Sequence, residues 1–270
     1  GPALVNRIFN RVLIYGNILI CNNDDVLTEK TLEVLSTRCK NGVYIEIRNL
    51  CQIHDFSSYL KLGFVSQPPL NIINKTRGNQ DEIFKTFSLS RKRGIRKALN
   101  YNFIFNCIIN PSNDQIESGY KLISNSYKRI KLPFPSKETF HSINKYLPEQ
   151  SRLFFSLKDE GNNLIAFLVG FTFKSTFYGY YIGSLDNPET LNKRPLDLFY
   201  WEIIKYLNEN GYEYFDWMGA GSPDEESGVR DFKKQYGGEL IETGRLIKVN
   251  KPFRYWLIFT VLKKLYKFFK

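Results

Sequence analysis

The side chains able to do chemistry in this 270-residue sequence are of few kinds, and their placement excludes several reaction classes. Only two histidines occur, His54 and His141, and neither lies near a cysteine or a paired-carboxylate motif, which sets aside zinc sites and Ser-His-Asp hydrolysis. The four cysteines, Cys21, Cys39, Cys51 and Cys107, lie far apart with no CxxC spacing and read as reduced structural thiols of a cytosolic protein. Gly219-Ala220-Gly221-Ser222-Pro223 has the glycine content of a phosphate loop but not the lysine and hydroxyl of a P-loop, and Asp224, Glu225 and Glu226 follow at once. It reads as a flexible connection closing over a site.

Four other groups remain. Tyr180 and Tyr181 alternate across a strand, so one of them can face a cleft and donate a hydrogen bond or relay a proton; a core tyrosine with a satisfied hydroxyl is the alternative for each. Tyr127 and Arg129 stand at a helix end before a proline loop, where a guanidinium can hold a carboxylate or phosphate bidentately, or simply meet solvent. Asp216 ends a strand and can hold a substrate amine or a catalytic group, or serve structure alone. Arg91, Lys92, Arg93, Arg96 and Lys97 put five cations in seven positions. They suit a phosphate-bearing ligand, with Arg93 and Arg96 as contacts, or a solvated charged face.

The elements that must hold these groups follow from periodicity. Val12–Tyr15 and Ile18–Ile20 read as strands around Gly16-Asn17, and a helix capped by Asp24 or Thr28 follows, with Leu27, Thr31, Leu32, Val34 and Leu35 at helical spacing. Val43–Arg48 alternates with period two, Phe56–Leu62 is a short helix that Gly63 can end, and Pro68–Ile73 begins an extended segment. A strand is expected over Tyr101–Ile109 and an amphipathic helix over Asp114–Arg129, with Ile116, Tyr120, Ile123 and Tyr127 on one stripe. Leu132-Pro133-Phe134-Pro135 stops it, and a second helix begins near Ser136. Three antiparallel strands occupy Arg152–Ser184, a helix Asp197–Asn210, a strand Tyr212–Trp217, a helical turn Asp231–Tyr236 and a last strand Leu240–Val249.

Composition sets the outer limits. A hydrophobic fraction of 43% with 22 phenylalanines and 17 tyrosines means a folded body, as one large domain or two small ones. The net charge of +11 attracts anions, whether nucleic acid, acidic phospholipid or a phosphorylated carrier. No stretch of about 18 apolar residues reads as a membrane span, and Gly1–Arg11 has no signal-peptide pattern, so the expected location is cytoplasmic.

Three stretches resemble the FemA/FemB/FemX-like acyl- and aminoacyltransferases and the related GNAT-like acyltransferases of polysaccharide clusters. They are Ser90–Ala98 (SRKRGIRKA); Tyr180-Tyr181-Ile182-Gly183-Ser184; and Gly211–Gly238, with Phe215-Asp216, a glycine-bearing loop, Gly228-Val229-Arg230-Asp231-Phe232-Lys233 and Tyr236-Gly237-Gly238. With Val43–Arg48 and Leu62-Gly63-Phe64 the resemblance covers almost the whole chain. It implies an α/β (α+β) fold of tandem GNAT-like acyltransferase domains, residues 1–85 and 86–250, with a basic amphipathic helix at 251–270. The family has further strands before the segment matching Val12–Gly16, so the first domain is expected to be incomplete at its N-terminus and to leave a strand edge uncovered. The helical hairpin arm of the staphylococcal-type enzymes has no counterpart.

The resemblance also implies the chemistry. An activated acyl or aminoacyl group passes to an amine of a cell-envelope precursor, peptidoglycan or lipid-linked polysaccharide, at the cytoplasmic face of the membrane. Lys233 is the residue implied to stabilise the tetrahedral intermediate, with Phe232 packed beneath it. No tightly bound cofactor or metal is expected. The donor is aminoacyl-tRNA or acyl-CoA; the GNAT pyrophosphate loop (Q/R)xxGx(G/A) is not evident. The rival reading is a non-catalytic protein on a degenerate transferase fold, binding nucleic acid or a partner through its basic surface. Residues 252–270 place Leu257, Ile258, Val261, Leu262, Leu265, Phe268 and Phe269 on one helical face and Lys263, Lys264, Lys267 and Lys270 on the other. Such a helix can lie on an anionic membrane or pack back on the first domain.

Overall fold

Two mixed sheets carry the architecture of the computed structural model, which describes residues 10–16, 24–48, 55–67, 69–132, 134–221, 223 and 226–262, and the backbone alone of residues 261 and 262. In chain order the first elements are β1 (Val12–Tyr15), α1 (Asp25–Arg38), β2 (Tyr44–Arg48), α2 (Ser57–Lys61), β3 (Val65–Ser66), β4 (Leu70–Lys75), α3 (Gln80–Thr86), α4 (Leu89–Ala98) and β5 (Ile104–Ile108). Then come α5 (Asn113–Arg129), α6 (Lys137–Tyr146), β6 (Arg152–Lys158), β7 (Leu164–Phe173), β8 (Thr176–Ser184), α7 (Pro188–Asn192), α8 (Pro195–Glu209) and β9 (Tyr214–Asp216). The chain continues through α9 (Gly228–Lys234), β10 (Glu239–Glu242), β11 (Arg245–Val249) and α10 (Pro252–Trp256), which runs into a π-helical turn at Leu257–Leu262.

These elements form two compact units that interleave along the chain: residues 1–70, 221–226 and 241–270, and residues 71–220 and 227–240. The ranges read from sequence are contiguous. The interleaving arises because Leu240–Val249, read as a single strand, is two: β10 joins β4 in one sheet, while β11 pairs antiparallel with β2 and β3 in the other.

In the first unit the sheet order is β1-β2-β11-β3, with β1 parallel to β2 and on the edge of the described sheet. Ile45 and Ile47 alternate into a core with Leu32, Tyr59, Phe64 and Leu246, which α1 and α2 cover. Asp24, one of the two residues able to cap α1, does so by accepting the Leu27 N–H at 3.0 Å. The strand expected at Ile18–Ile20 lies outside the described residues. The far face of the sheet carries Val43, Tyr44 and Ile247 against Tyr255 and Ile258.

In the second unit the order is β10-β4-β9-β8-β7-β6-β5, and β8 and β9 form a parallel pair. The expected sequence of two helices, a three-stranded meander, a helix and a strand is present as α5, α6, β6 to β8, α8 and β9, with the short α7 added. β6 and β7 are almost continuously buried because helices cover both faces. Ile116 and Ile123 of α5 and Phe140 and Ile143 of α6 meet Phe154 and Phe167 on one side, while α8 brings Tyr206 against Phe155 on the other. A Cβ at Gly183 would collide with the backbone of Ile123, so glycine there is what lets α5 lie directly on β8. Helix α8 begins two residues before the expected Asp197 because Pro195 supplies a preset first turn. Helix α3, capped by Asn79, has no counterpart in the periodicity reading.

Candidate active site

Strand β9 is three residues long and pairs with the nine-residue β8 only over Thr176–Tyr178. Beyond that point β8 runs on to Ser184 while the β9 chain turns away after Asp216, so a gap opens beside the second half of β8.

The turn is built by buried polar groups. Asp216 is 1% exposed, and its Oδ1 accepts hydrogen bonds from Asn71 Nδ2 at 2.8 Å and from the Met218 N–H at 2.7 Å. Asn71 Oδ1 in turn accepts the Gly219 N–H at 2.9 Å. Met218 is held at φ 53° and Gly219 at φ 99°, so the loop is wound left-handed at a non-glycine residue, a local cost of about 1–3 kcal/mol that the surrounding bonds must offset. Winding the loop this way turns two carbonyls to one side. Lys233 Nζ donates to both, to Trp217 O at 2.8 Å and to Gly219 O at 2.6 Å.

The charges of this pair influence each other. Burial lowers the Lys233 ammonium to about 8, a fall that Asp216 opposes. Burial likewise pushes the Asp216 carboxyl up, against the Met218 and Asn71 hydrogen bonds and the charge of Lys233. An ammonium has three N–H donors. Two are engaged by the loop, and the third has no partner among the described residues.

Phe232 does not lie beneath Lys233, because successive residues on a helix point in different directions. Its ring packs on Tyr200 and Tyr236 at 5.7 and 5.4 Å and supports the Arg91 guanidinium at 4.6 Å; the direction of Lys233 is fixed by the loop carbonyls instead. Arg91 is the buried member of the basic run. It forms an ion pair with Asp197 and donates to Gln235 Oε1 at 2.8 Å, while Asp197 also takes Arg194 Nε at 2.7 Å and the Tyr236 hydroxyl at 3.1 Å. Gly94 permits this approach, since a Cβ there would occupy the position of the Asp197 carboxylate. Thus the SRKRGIRKA and Tyr-Gly-Gly stretches meet on one carboxylate, and the phenylalanine of the Phe-Lys pair packs on the arginine that reaches it.

The remaining cations stay near the surface. Arg93 and Lys97 line an open groove with Ser90, Gly94, Asn192 and Arg194, whereas Arg96, also exposed, is not among its lining residues. Arg129 is engaged by Asp186, which follows β8, so the structure supplies it with a protein carboxylate.

Tyr180 and Tyr181 depart from simple alternation. Val169 stands opposite Tyr181 and Gly170 opposite Gly179, leaving Tyr180 as the extra residue of a β-bulge. Their rings consequently touch edge to face at 4.9 Å. Tyr181 also packs against Phe134 and Phe140 and lies 6.2 Å from the Tyr127 ring. Burial, with Tyr180 nearby, raises the Tyr127 hydroxyl above its usual value.

Sequence reasoning missed Asn71 and Asn74. The first holds the Asp216 loop; the second accepts the Trp217 indole N–H at 2.6 Å and donates to Tyr236 O. Two asparagines among the leucine and isoleucines of one strand were the available signal. Asp197 was equally open to notice, as an acidic residue two positions after Pro195, but it reads as ordinary helix-start chemistry.

The chain belongs to the acetyltransferase (GNAT) domain family, whose profile matches residues 92–234, more than half its length and the stretch from α4 through α9. Among solved structures it is similar to FemX, with a TM-score of 0.71 at 16% identity over 91% of this chain and 82% of that one. It is also similar to L-PGS from Bacillus licheniformis, with a TM-score of 0.64 at 13% identity over 92% and 81%. The FemX-like resemblance carried by the three motif stretches, and the mixed α/β GNAT-like fold it implied, are therefore borne out. A search of curated proteins finds no match to the sequence.

Proposed function

We propose that this protein transfers an acyl or aminoacyl group to an amine of a cell-envelope precursor, with the second unit as the catalytic one and the first another GNAT-like unit. The observation that carries this reading is Lys233: an ammonium drawn out of water, held by two loop carbonyls, with one donor left over. In the transfer the amine lone pair attacks the acyl carbon, and the C=O electrons move onto oxygen, where the third Lys233 N–H stabilises them. The intermediate then collapses by expelling the donor's oxygen or sulfur, and the amine proton leaves for the departing group or solvent. Asp216 and Asn71 fix the loop that fixes Lys233. Tyr180 and Tyr181, brought together by the bulge beside the strand gap, are the groups we assign to proton relay or ligand hydrogen bonding, with Tyr127 behind them. Phe232 supports this site through Arg91. Arg93 in its groove, with Arg96 further along α4, is assigned to donor phosphates, and Arg129, if released from Asp186, to an anionic group of the acceptor.

Fold likeness to FemX and to L-PGS, a lysylphosphatidylglycerol synthetase, supports an envelope acceptor and aminoacyl-tRNA as donor. The test is transfer itself: purified protein is offered labelled aminoacyl-tRNA or acyl-CoA with an envelope-precursor extract, and products are followed by mass. Label appearing on an amine-bearing envelope component from one donor is the expected result. Failure with every donor, alongside retained tRNA or other nucleic acid, would favour the non-catalytic binding reading instead.

A peripheral location at the inner face of the membrane is part of the proposal. No helix among the described residues is long and apolar enough to cross a membrane. Tyr255 and Ile258 pack on the first sheet, while Phe253 and Trp256 stay 73% and 52% exposed. The same helix therefore has one face for the protein and another available to lipid, and the lysines at 263, 264, 267 and 270, outside the described residues, add roughly 1 kcal/mol each near an anionic surface. Co-sedimentation with anionic vesicles should fall as salt rises and fall again when Phe253 and Trp256 are both replaced by alanine. Equal binding to neutral vesicles would return the segment to packing alone.

A further inference from the structure

Glu46 lies in the middle of β2, 3% exposed, and three guanidinium groups converge on its carboxylate. Arg48 Nε is 2.7 Å away, Arg245 Nε 3.3 Å and Arg11 Nη1 3.7 Å. The strand register explains the convergence. Ile45 and Ile47 enter the core, so Tyr44, Glu46 and Arg48 line the opposite face, and Arg245 of β11 stands directly across from Arg48. Like charges opposed across a ladder destabilise the pair, and a single carboxylate neutralises one cation of three. Arg11 finds the Tyr44 hydroxyl at 3.3 Å and Arg48 the Tyr15 hydroxyl at 3.5 Å. Arg245 makes no side-chain hydrogen bond among the described residues: its Nε is fully enclosed, and the angle to Glu46 does not close one. Burial lowers its proton affinity, and Arg48 and Arg11 push in the same direction. The cluster is still reachable, because the side chains of Arg11, Arg48 and Arg245 remain 49%, 31% and 36% exposed.

Two uncompensated cations with free planar donors, fixed on adjacent strands, match one chemical group. We propose that Arg11, Arg48 and Arg245 form a binding site in the first unit for a phosphoryl group, whose negative charge balances what Glu46 leaves over and whose oxygens take the unused N–H donors in pairs. The tyrosine hydroxyls at 44 and 15 hold the Arg11 and Arg48 guanidiniums in place. Glu46 is the internal counter-ion that keeps the three arginines together while the site is empty. Such a group reaches the protein on a soluble nucleotide or on a phospholipid head group. The site stands on β1, β2 and β11 and on binding alone, so it does not depend on the transfer reading.

The full-length protein would be titrated calorimetrically with inorganic pyrophosphate, with ADP, and with phosphatidylcholine vesicles containing or lacking phosphatidic acid. Saturable binding is expected, and Arg48→Gln and Arg245→Gln should each weaken it about tenfold or more, the size of one charge-assisted bond. Arg38→Gln, at an exposed cation in the last turn of α1, should leave it unchanged. Glu46→Gln removes the competing carboxylate and should tighten binding, which gives a readout of opposite sign should an arginine variant fail to fold. Arginine-dependent binding of ADP but not of vesicles assigns the soluble source, and the reverse assigns the lipid. Absence of saturable binding of pyrophosphate, ADP and phosphatidic-acid vesicles alike, or binding indifferent to Arg48, Arg245 and Glu46, overturns the proposal.

Discussion

Replacing Lys233 by methionine should lower kcat by about 100- to 1,000-fold, the loss associated with removing one donor to a developing oxyanion. Methionine keeps the length of the side chain and its burial, so the circular-dichroism spectrum should not change. The pH dependence separates this role from a merely structural one. If the ammonium is the working form, kcat falls as pH rises through about 8, where burial has placed the group, and Lys233→Arg should restore part of the rate with that alkaline fall removed. Stability moves the other way. The folded chain holds this proton less tightly than the unfolded chain, whose lysine titrates near 10.5, so stability should rise with pH between about 8 and 10.5 and should rise less in the methionine variant. A methionine variant retaining full activity, or a wild-type rate flat across pH 8, would remove Lys233 from the chemistry.

The second large effect is on stability. Asp197→Ala strips Arg91, Arg194 and the Tyr236 hydroxyl of their common acceptor. Arg91 is the critical partner, since its side chain is only 11% exposed and cannot turn to water. Breaking a buried pair from one side costs about 3–5 kcal/mol. Urea unfolding should therefore give a midpoint lowered accordingly, whereas Arg194→Gln, at a side chain 37% exposed, should cost much less. A loss under about 1 kcal/mol for Asp197→Ala would mean that the convergence of the motif stretches on this carboxylate does not hold the unit together.

Much of the second unit was legible from the chain because its signals are local. Unbroken apolar strands, the stripe of Ile116, Tyr120, Ile123 and Tyr127 along α5, and the proline-containing run in the sequence after it are each written within a few residues. The site was legible in part. Lys233 and Asp216 were singled out as candidates, but Asn71, which bonds Asp216 and the loop after it, sits far away in sequence on β4 and is marked only as a polar residue inside a strand. The bulge at Tyr180 depends on which residue of β7 lies opposite, and no property of Tyr180 or Tyr181 encodes that. Arg91 looked like its neighbours in a run of exposed cations; only the partner carboxylate on α8 and the ring of Phe232 distinguish it. Likewise the break between β10 and β11 at Thr243-Gly244 changes sheets without a proline or a charge run to announce it.

The return of β11 to the first sheet has a consequence for how the molecule is made. During synthesis β1 and β2 emerge before the second unit, yet the strand that lies between β2 and β3 leaves the ribosome only after the whole of that unit. The second unit, apart from its closing strand, is available beforehand and is built largely from neighbouring hairpins, which form quickly. The second unit should thus fold first, with β2 and β3 waiting, their central hydrogen-bonding edges open, until β11 has been made. A nascent chain stalled before Arg245 would contain every element of the first sheet except the one that joins it, and would be a natural client for chaperones.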